Sequence, residues 1–253
     1  MPSIITQIYE IQTPAEAAEI IRLGVDHVGT VLVSKEAWKQ QAISDTRNVV
    51  KALGAKNSLI PLFSEPDPVH AVIDHYRPDI VHFCEQLTSE RNRSAGCQNL
   101  IELQEGIRKR FPDVRIMRSI PIGPEGFASR VPTLELARLF EPVSDLFLTD
   151  TLLMRRDPQP VDGFVGITGE TCDWNMAARL VAQSRLPVIL AGGLAPENVY
   201  DGIMAVRPAG VDSCTRTNAV AERGKPVRFK KDMQRVGTFV EQTRRAQKAL
   251  SGQ

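Results

Sequence analysis

The chain has 253 residues, of which 42% are hydrophobic and 24% charged, so it carries enough apolar material for a sizeable core, and long disordered stretches are excluded. Lysine and arginine total 31 against 30 acidic residues. This balance excludes a summed electric field that would draw the chain onto nucleic acid or an anionic membrane, so a bound anion needs a local site.

Eight short apolar runs alternate with longer segments of helical period, the pattern that builds a parallel sheet with crossover helices. The runs recur about every 20 to 35 residues, as a strand, a helix and two loops require. The predicted strands are Ile4–Ile11, His27–Val33, Ser58–Phe63, Ile80–Cys84, Val114–Ile120, Asp145–Thr149, Pro187–Ala191 and Gly210–Cys214. Eight such pairs predict an α/β fold, a (β/α)₈ TIM barrel.

Capping signals place helix starts directly after several of these strands. Thr13-Pro14 opens the first helix, Asp67-Pro68 the third and Ala195-Pro196 the seventh. The last helix is predicted from Lys231 to Lys248, with a polar end from Arg244 to Gln253 that should fray.

No segment is composed like an interdomain linker, which predicts a single domain over residues 1–253. The irregular stretch Leu152–Thr171 is typical of a lid or binding loop.

The four cysteines, at positions 84, 97, 172 and 214, form no CxxC pair, which indicates reduced, buried thiols rather than a zinc site or disulfides. Neither a signal-like segment nor an apolar run of about 18 residues is present, so we expect a cytoplasmic protein without membrane or nucleic-acid partners. His82, Glu85, Asp150 and Asp212 have metal-binding side chains, but their spacing fixes no geometry. We therefore expect neither a metal nor another cofactor.

Polar residues at the carboxyl ends of the predicted strands are the first site candidates, because active sites of such barrels lie there. They include Tyr9, Glu10, Lys35, Arg118 and Asp212. The alternative is that these residues cap helices or contact water.

Two later stretches are more informative. The first, Gly166-Ile167-Thr168-Gly169-Glu170-Thr171-Cys172-Asp173-Trp174, precedes a predicted helix. The second contains the seventh strand and reads Pro187-Val188-Ile189-Leu190-Ala191-Gly192-Gly193-Leu194-Ala195-Pro196-Glu197-Asn198-Val199, continuing to Arg207-Pro208-Ala209-Gly210-Val211-Asp212-Ser213. Glycine allows close backbone approach, and helix amino termini favour anions. Together these stretches resemble the carboxyl-terminal third of the phosphoribosylanthranilate isomerase family. The resemblance implies a phosphate site at Gly166, Gly169, Gly192, Gly193, Ser213, Cys214 and Arg216.

The segment Leu146-Phe147-Leu148-Thr149-Asp150-Thr151 resembles the family segment that supplies the general acid, which implies that Asp150 is the acid. The resemblance further implies an Amadori rearrangement, in which an acid protonates the ring oxygen of an aminated ribose phosphate and a base removes the C2 proton. Tyr9 and Glu10 are the candidate bases; Lys35, His82, Arg118 and Asp212 are the candidate substrate-binding residues.

The sequence also departs from the family pattern. The first strand reads Gln7-Ile8-Tyr9-Glu10 where the family has Lys-Ile-Cys-Gly, whose cysteine is the base. Ser34-Lys35-Glu36 replaces Ser-Pro-Arg, whose arginine holds the anthranilate carboxylate, and a lysine does not reproduce the guanidinium fork. A tyrosine with an ordinary pKa of about 10 is a poor base at neutral pH.

From these departures we expect an isomerase of a phosphorylated sugar or sugar conjugate that does not act on phosphoribosylanthranilate itself. Two alternatives stay open: a lyase or aldolase of a phosphorylated substrate, and a non-catalytic phosphometabolite-binding protein. A small phosphorylated ligand is the expected partner, and a homodimer is left open as the assembly.

Overall fold

Eight parallel strands close into a barrel in a computed structural model that describes residues 3–89, 95–153, 160–222 and 224–252. Each strand pairs with the next along the chain, and β1 pairs with β8, with Ile5 opposite Gly210 and Ile8 opposite Ser213. The strands are β1 Ile5–Ile8, β2 His27–Leu32, β3 Lys56–Pro61, β4 Ile80–Phe83, β5 Arg115–Ile122, β6 Leu146–Thr151, β7 Val188–Leu190 and β8 Gly210–Ser213. The predicted (β/α)₈ barrel is confirmed.

Helices connect the strands and cover the outside of the barrel. They are α1 Pro14–Arg22, α2 Gln41–Ala52, α3 Pro66–Tyr76, α4 Gln98–Arg110, α5 Thr133–Phe140, α6 Trp174–Gln183, α7 Val199–Val206 and, at the carboxyl end, α8 Met233–Ser251. Side-chain caps begin several of them, because the first amides of a helix lack partners within it. The Thr13 hydroxyl accepts from the Glu16 amide at 3.3 Å, and the Asp173 carboxylate accepts from the Met176 amide at 2.9 Å.

The core has two layers, because side chains of a strand alternate between its faces. The outward faces pack against the helices around residues such as Phe140, Phe147 and Phe239. The inward faces fill the barrel with a separate cluster that includes Ile60, Met117 and Leu148. The site is at the upper end of this inner layer, where the strands end.

The carboxyl-terminal helix continues past the point where fraying was expected. It runs to Ser251, with Ala246 and Leu250 buried in the outer core layer. The Arg244 guanidinium donates to the Ile4 carbonyl at 2.6 Å and to the Asp26 carboxylate at 2.9 Å. The prediction of a frayed tail from Arg244 was therefore wrong over the described residues to 252, because packing and these bonds hold the last turns.

A two-stranded hairpin between β8 and α8 was not predicted. Its strands are β9, Asn218–Val220, and β10, Pro226–Lys231, and they pair antiparallel. The side chains of β10 are exposed except for that of Lys231, so no buried apolar run marked it in the sequence. None of the described helices combines the length and apolar character needed to cross a membrane.

Candidate active site at the barrel mouth

One cavity opens at the carboxyl ends of the strands and collects most of the predicted site residues. Its walls come from the ends of the strands and from the loops after β6, β7 and β8, as expected for this fold. The predicted residues that line it are Tyr9, Glu10, His82, Asp150, Gly166, Gly169, Gly192, Gly193, Asp212, Ser213, Cys214 and Arg216. Residues 154–159 of the predicted loop Leu152–Thr171 lie outside the described residues.

Asp150 lies at the end of β6 with its carboxyl group directed at the cavity wall. The Thr151 amide donates to Oδ1 at 2.9 Å, and the backbone of Gly166 packs closely against the other oxygen. A Cβ atom at position 166 would lie 2.4 Å from Asp150 Oδ2, so glycine is required there. Burial raises the pKa of Asp150 to about 7, because removal from water disfavours the charged form. This carboxyl group can therefore donate a proton near neutral pH.

A second carboxyl group, that of the buried residue Asp212 on β8, lines the same cavity. Gln7 Nε2 donates to Asp212 Oδ1 at 3.2 Å, and Gln7 Oε1 lies 3.2 Å from His27 Nδ1. Burial, and to a smaller extent the negative charge of Asp150, raise the pKa of Asp212 to about 8. At neutral pH the Asp212 carboxyl group is therefore mostly protonated and that of Asp150 is about half protonated.

Tyr9 and His82 belong to a hydrogen-bonded chain across the inside of the barrel. The Tyr9 hydroxyl lies 2.6 Å from Ser58 Oγ and 2.7 Å from His82 Nδ1, and His82 Nε2 lies 2.8 Å from Ser119 Oγ. Burial raises the pKa of Tyr9 well above its ordinary value and lowers the pKa of His82 to about 3. Both side chains are therefore neutral, and these hydrogen bonds fix their orientation.

Glu10 follows β1 with its backbone in the left-handed region, at φ 63°. Its side chain is buried, with 1% of its surface exposed, and it accepts from Arg228 Nε of the hairpin at 2.7 Å. Its other oxygen, Oε2, is buried without a hydrogen-bond partner. The strand ends at Ile8, so the alternation that would have turned Glu10 toward the helices no longer applies.

The loops after β6, β7 and β8 meet at one side of the cavity. Arg216 Nε donates to the Gly169 carbonyl at 2.9 Å, and the Ser213 hydroxyl donates to the Leu194 carbonyl at 2.8 Å. Lys231 of the hairpin donates from Nζ to the Cys214 carbonyl at 2.8 Å, which ties the hairpin to the loop after β8. These contacts bring the predicted phosphate-binding segments together.

Two predicted substrate-binding residues do not line this cavity. Lys35 forms an ion pair with Glu65 in a neighbouring groove beside the loops after β2 and β3, where both side chains are about half exposed. Arg118 is fully buried on the outward face of β5, between the rings of Phe83 and Phe140. It forms an ion pair with Glu85 there. The prediction that Arg118 contacts the substrate was wrong because side chains alternate along β5, and Met117 and Ser119 occupy the inward face.

Sequence reasoning missed several residues that shape the site. Gln7, Ser58 and Ser119 face the barrel interior as hydrogen-bond partners, whereas Arg228 and Lys231 come from the unpredicted hairpin. The first three are polar residues within buried strands, a signal that the sequence carries. Among the described residues, no group of three His, Cys, Asp or Glu side chains lies close enough to hold a metal ion.

The fold and the site define a class: a (β/α)₈ barrel with buried acids at its mouth and glycine-rich loops after β6 and β7. Comparison with known proteins identifies the family within this class. The family model described as N-(5'-phosphoribosyl)anthranilate (PRA) isomerase matches residues 126–242. N-(5'-phosphoribosyl)anthranilate isomerase from Methanothrix thermoacetophila is 30% identical over 220 residues, which cover 85% of this chain and 89% of that protein. This chain belongs to the phosphoribosylanthranilate isomerase family, whose members are intramolecular isomerases.

Further similarities agree with this assignment. The isomerase from Methanocella arvoryzae is 38% identical over 138 residues, a match that spans about half of either chain, 54% of each. The solved phosphoribosyl anthranilate isomerase from Thermotoga maritima has a TM-score of 0.67 and 23% identity, covering 95% of this chain and 98% of that one, and it shows the shared fold.

These findings correct the functional expectation drawn from the sequence. The changes at Tyr9 and Lys35 led to the expectation that the chain does not act on phosphoribosylanthranilate. The relatives are named for that activity, and one match extends over most of the chain, so the expectation was wrong. The similarity along the rest of the sequence outweighs the two substituted positions.

Proposed function

We propose that this chain catalyses the isomerisation of phosphoribosylanthranilate by an Amadori rearrangement. The observation that carries the proposal is Asp150, a partly buried carboxyl group at the mouth of the barrel with a pKa raised to about 7. A general acid works best when its pKa lies near the operating pH. Asp150 would donate its proton to the ribose ring oxygen, so that the C1–O bond breaks while the anilino nitrogen forms a double bond to C1.

A phosphorylated substrate would bind where the loops after β6, β7 and β8 meet. A solved family member binds reduced 1-(o-carboxyphenylamino)-1-deoxyribulose 5-phosphate, a phosphorylated compound that carries a carboxyphenyl group. We place the phosphate of the substrate near Gly169, Gly193 and Ser213, with Arg216 alongside as a positive charge. A Thermotoga maritima relative is described as dimeric, and size-exclusion chromatography with light scattering would test a homodimer for this chain.

Gly193→Ala is expected to weaken substrate binding, with KM raised at least about tenfold. Its φ is 63°, where a side chain costs about 1 to 2 kcal/mol, and a Cβ would lie 2.5 Å from the Glu170 carbonyl carbon. The loops after β6 and β7 must therefore separate. Steady-state kinetics and titration with inorganic phosphate measure the effect. Gly54→Ala is the matched control, since Gly54 has φ 77° with no atom within 4 Å of the added Cβ. An unchanged KM in Gly193→Ala would contradict the placement of the substrate phosphate near Gly193.

The activity is expected to fall as the pH rises through about 7, because Asp150 must be protonated to act as the acid. Above that pH kcat/KM should fall about tenfold per unit as the protonated fraction falls. A pH profile of kcat/KM with the purified protein measures this limb. A rate that is constant from pH 6 to 9 contradicts the assignment of Asp150.

The direct test of the function is turnover of phosphoribosylanthranilate by the purified protein, followed by the loss of its fluorescence, together with rescue of a cell that lacks the isomerase. We expect turnover and rescue. Absence of turnover at micromolar enzyme concentration, with phosphate still bound, would overturn the proposal and favour a binding protein.

A further inference from the structure

The reaction needs a proton acceptor as well as an acid, and most described residues of the cavity cannot provide one. Tyr9 and His82 are engaged in the interior hydrogen-bonded chain. Burial raises the pKa values of the Cys84 and Cys214 thiols, so that neither forms a thiolate readily. An acceptor in this cavity must therefore be a carboxylate.

Glu10 has the geometry of such an acceptor. One of its oxygens is held by the Arg228 guanidinium, the other, Oε2, is buried without a hydrogen-bond partner, and the residue lines the cavity. A buried acceptor atom without a partner is costly, and Arg228 pairs with Glu10 as its counter-charge. Asp150 and Asp212 line the same cavity but have no such cation paired with them in the described part of the chain.

The backbone at Glu10 supports the same interpretation. A glutamate at φ 63° occupies a conformation that costs a non-glycine residue about 1 to 2 kcal/mol. Glycine would adopt it freely, and the family motif quoted above has glycine at this point. Strained residues of this kind cluster at functional sites, where the surrounding structure holds them in place.

We propose that Glu10 is the general base of this enzyme, with Arg228 as the residue that positions it. This inference rests on the proposed function. After the ring opens, Glu10 removes the proton from C2, and the electrons of that C–H bond form a C1–C2 double bond and neutralise the iminium nitrogen. The resulting enol loses its hydroxyl proton to solvent as C1 gains a proton from solvent, which gives the amino ketose, an isomer of the substrate. Glu10 then releases its proton to solvent and Asp150 takes one up, so both groups return to their starting states.

The test is chemical rescue of a Glu10→Gly variant. Glycine fits φ 63°, so the variant should fold with an unchanged circular dichroism spectrum, while the rate of phosphoribosylanthranilate turnover falls about 10²- to 10⁴-fold. Added formate should enter the vacated space and restore part of the rate in proportion to its concentration. Arg207→Gly is the matched control, because Arg207 has φ 53° at the end of α7, does not line the cavity and should retain full activity.

The outcomes separate this inference from the proposed function. If the unmodified protein does not turn over phosphoribosylanthranilate, the proposed function fails. If it does, and Glu10→Gly stays within threefold of it, the assignment of Glu10 is overturned. A loss of activity that formate does not restore also overturns it, since that result gives Glu10 a structural role. Should Glu10→Gly fail to fold, Glu10→Gln applies the same criterion: loss of activity with substrate binding retained supports the base, and activity within threefold overturns it.

Discussion

Replacing Asp150 with Asn is expected to lower kcat about 10²- to 10⁴-fold, the contribution of a positioned general acid. The amide keeps an oxygen for the Thr151 amide but has no acidic proton to transfer. KM should change far less than kcat, because Asn has nearly the size and shape of Asp and the phosphate is placed near Gly169, Gly193 and Ser213. Steady-state kinetics on phosphoribosylanthranilate measures both quantities.

The same substitution should not lower the melting temperature at pH 8. The pKa of Asp150 is raised in the folded protein, so the fold binds this proton more tightly than the unfolded chain does. The contribution of this bound proton to the free energy of unfolding is fully present below about pH 4 and is lost as the pH rises through about 7. At pH 8 Asn removes a carboxylate whose burial is unfavourable. Asp232→Asn at the start of α8 is the control for this measurement, since Asn caps a helix as well as Asp does. A kcat of Asp150→Asn within threefold of that of the unmodified protein would refute the assignment of Asp150 as the general acid.

The eight strands were predictable because each is a short apolar run between signals for turns and helices. The strand His27–Leu32 is buried along its whole length, so its hydrophobic pattern leaves no ambiguity. The hairpin had no such pattern, since the side chains of β10 are mostly exposed. Its position follows from tertiary contacts, such as that of Lys231 with the Cys214 carbonyl, which a local pattern does not encode.

The candidate site was predictable where backbone conformation determines the residue type. Gly166 and Gly193 have positive φ values, and a Cβ atom would collide with the Asp150 carboxyl group at Gly166 and with the Glu170 backbone at Gly193. The glycines of the sequence motif record this need directly. The face of a strand from which a side chain points is harder to predict from the sequence, because both faces of a barrel strand are buried. Arg118 was therefore assigned to the wrong face. The orientation of Glu10 depended on whether the strand ended before it, and the strand ends at Ile8.

Arg118→Met is expected to destabilise the protein by about 3 to 5 kcal/mol, the usual cost of removing one partner of a buried ion pair. Arg118 is fully buried and binds Glu85, whose other oxygen accepts from the Ser64 hydroxyl at 2.6 Å. Without the guanidinium, the Glu85 carboxylate would be left buried without a counter-charge. Arg118 Nε also donates to Gln104 Oε1 at 2.7 Å, so the variant loses the link between β5 and α4 as well.

Urea unfolding of four proteins measures this effect and tests its origin. Arg118→Met combined with Glu85→Gln should recover part of the lost free energy of unfolding, because the double variant leaves no unpaired charge. Arg115→Met, at the exposed start of the same strand, should change it by less than about 0.5 kcal/mol. Since Arg118 lies on the outward face of β5 and does not line the cavity, the KM of each folded variant should match that of the unmodified protein. A raised KM with unchanged stability would return Arg118 to the substrate site and contradict the structure.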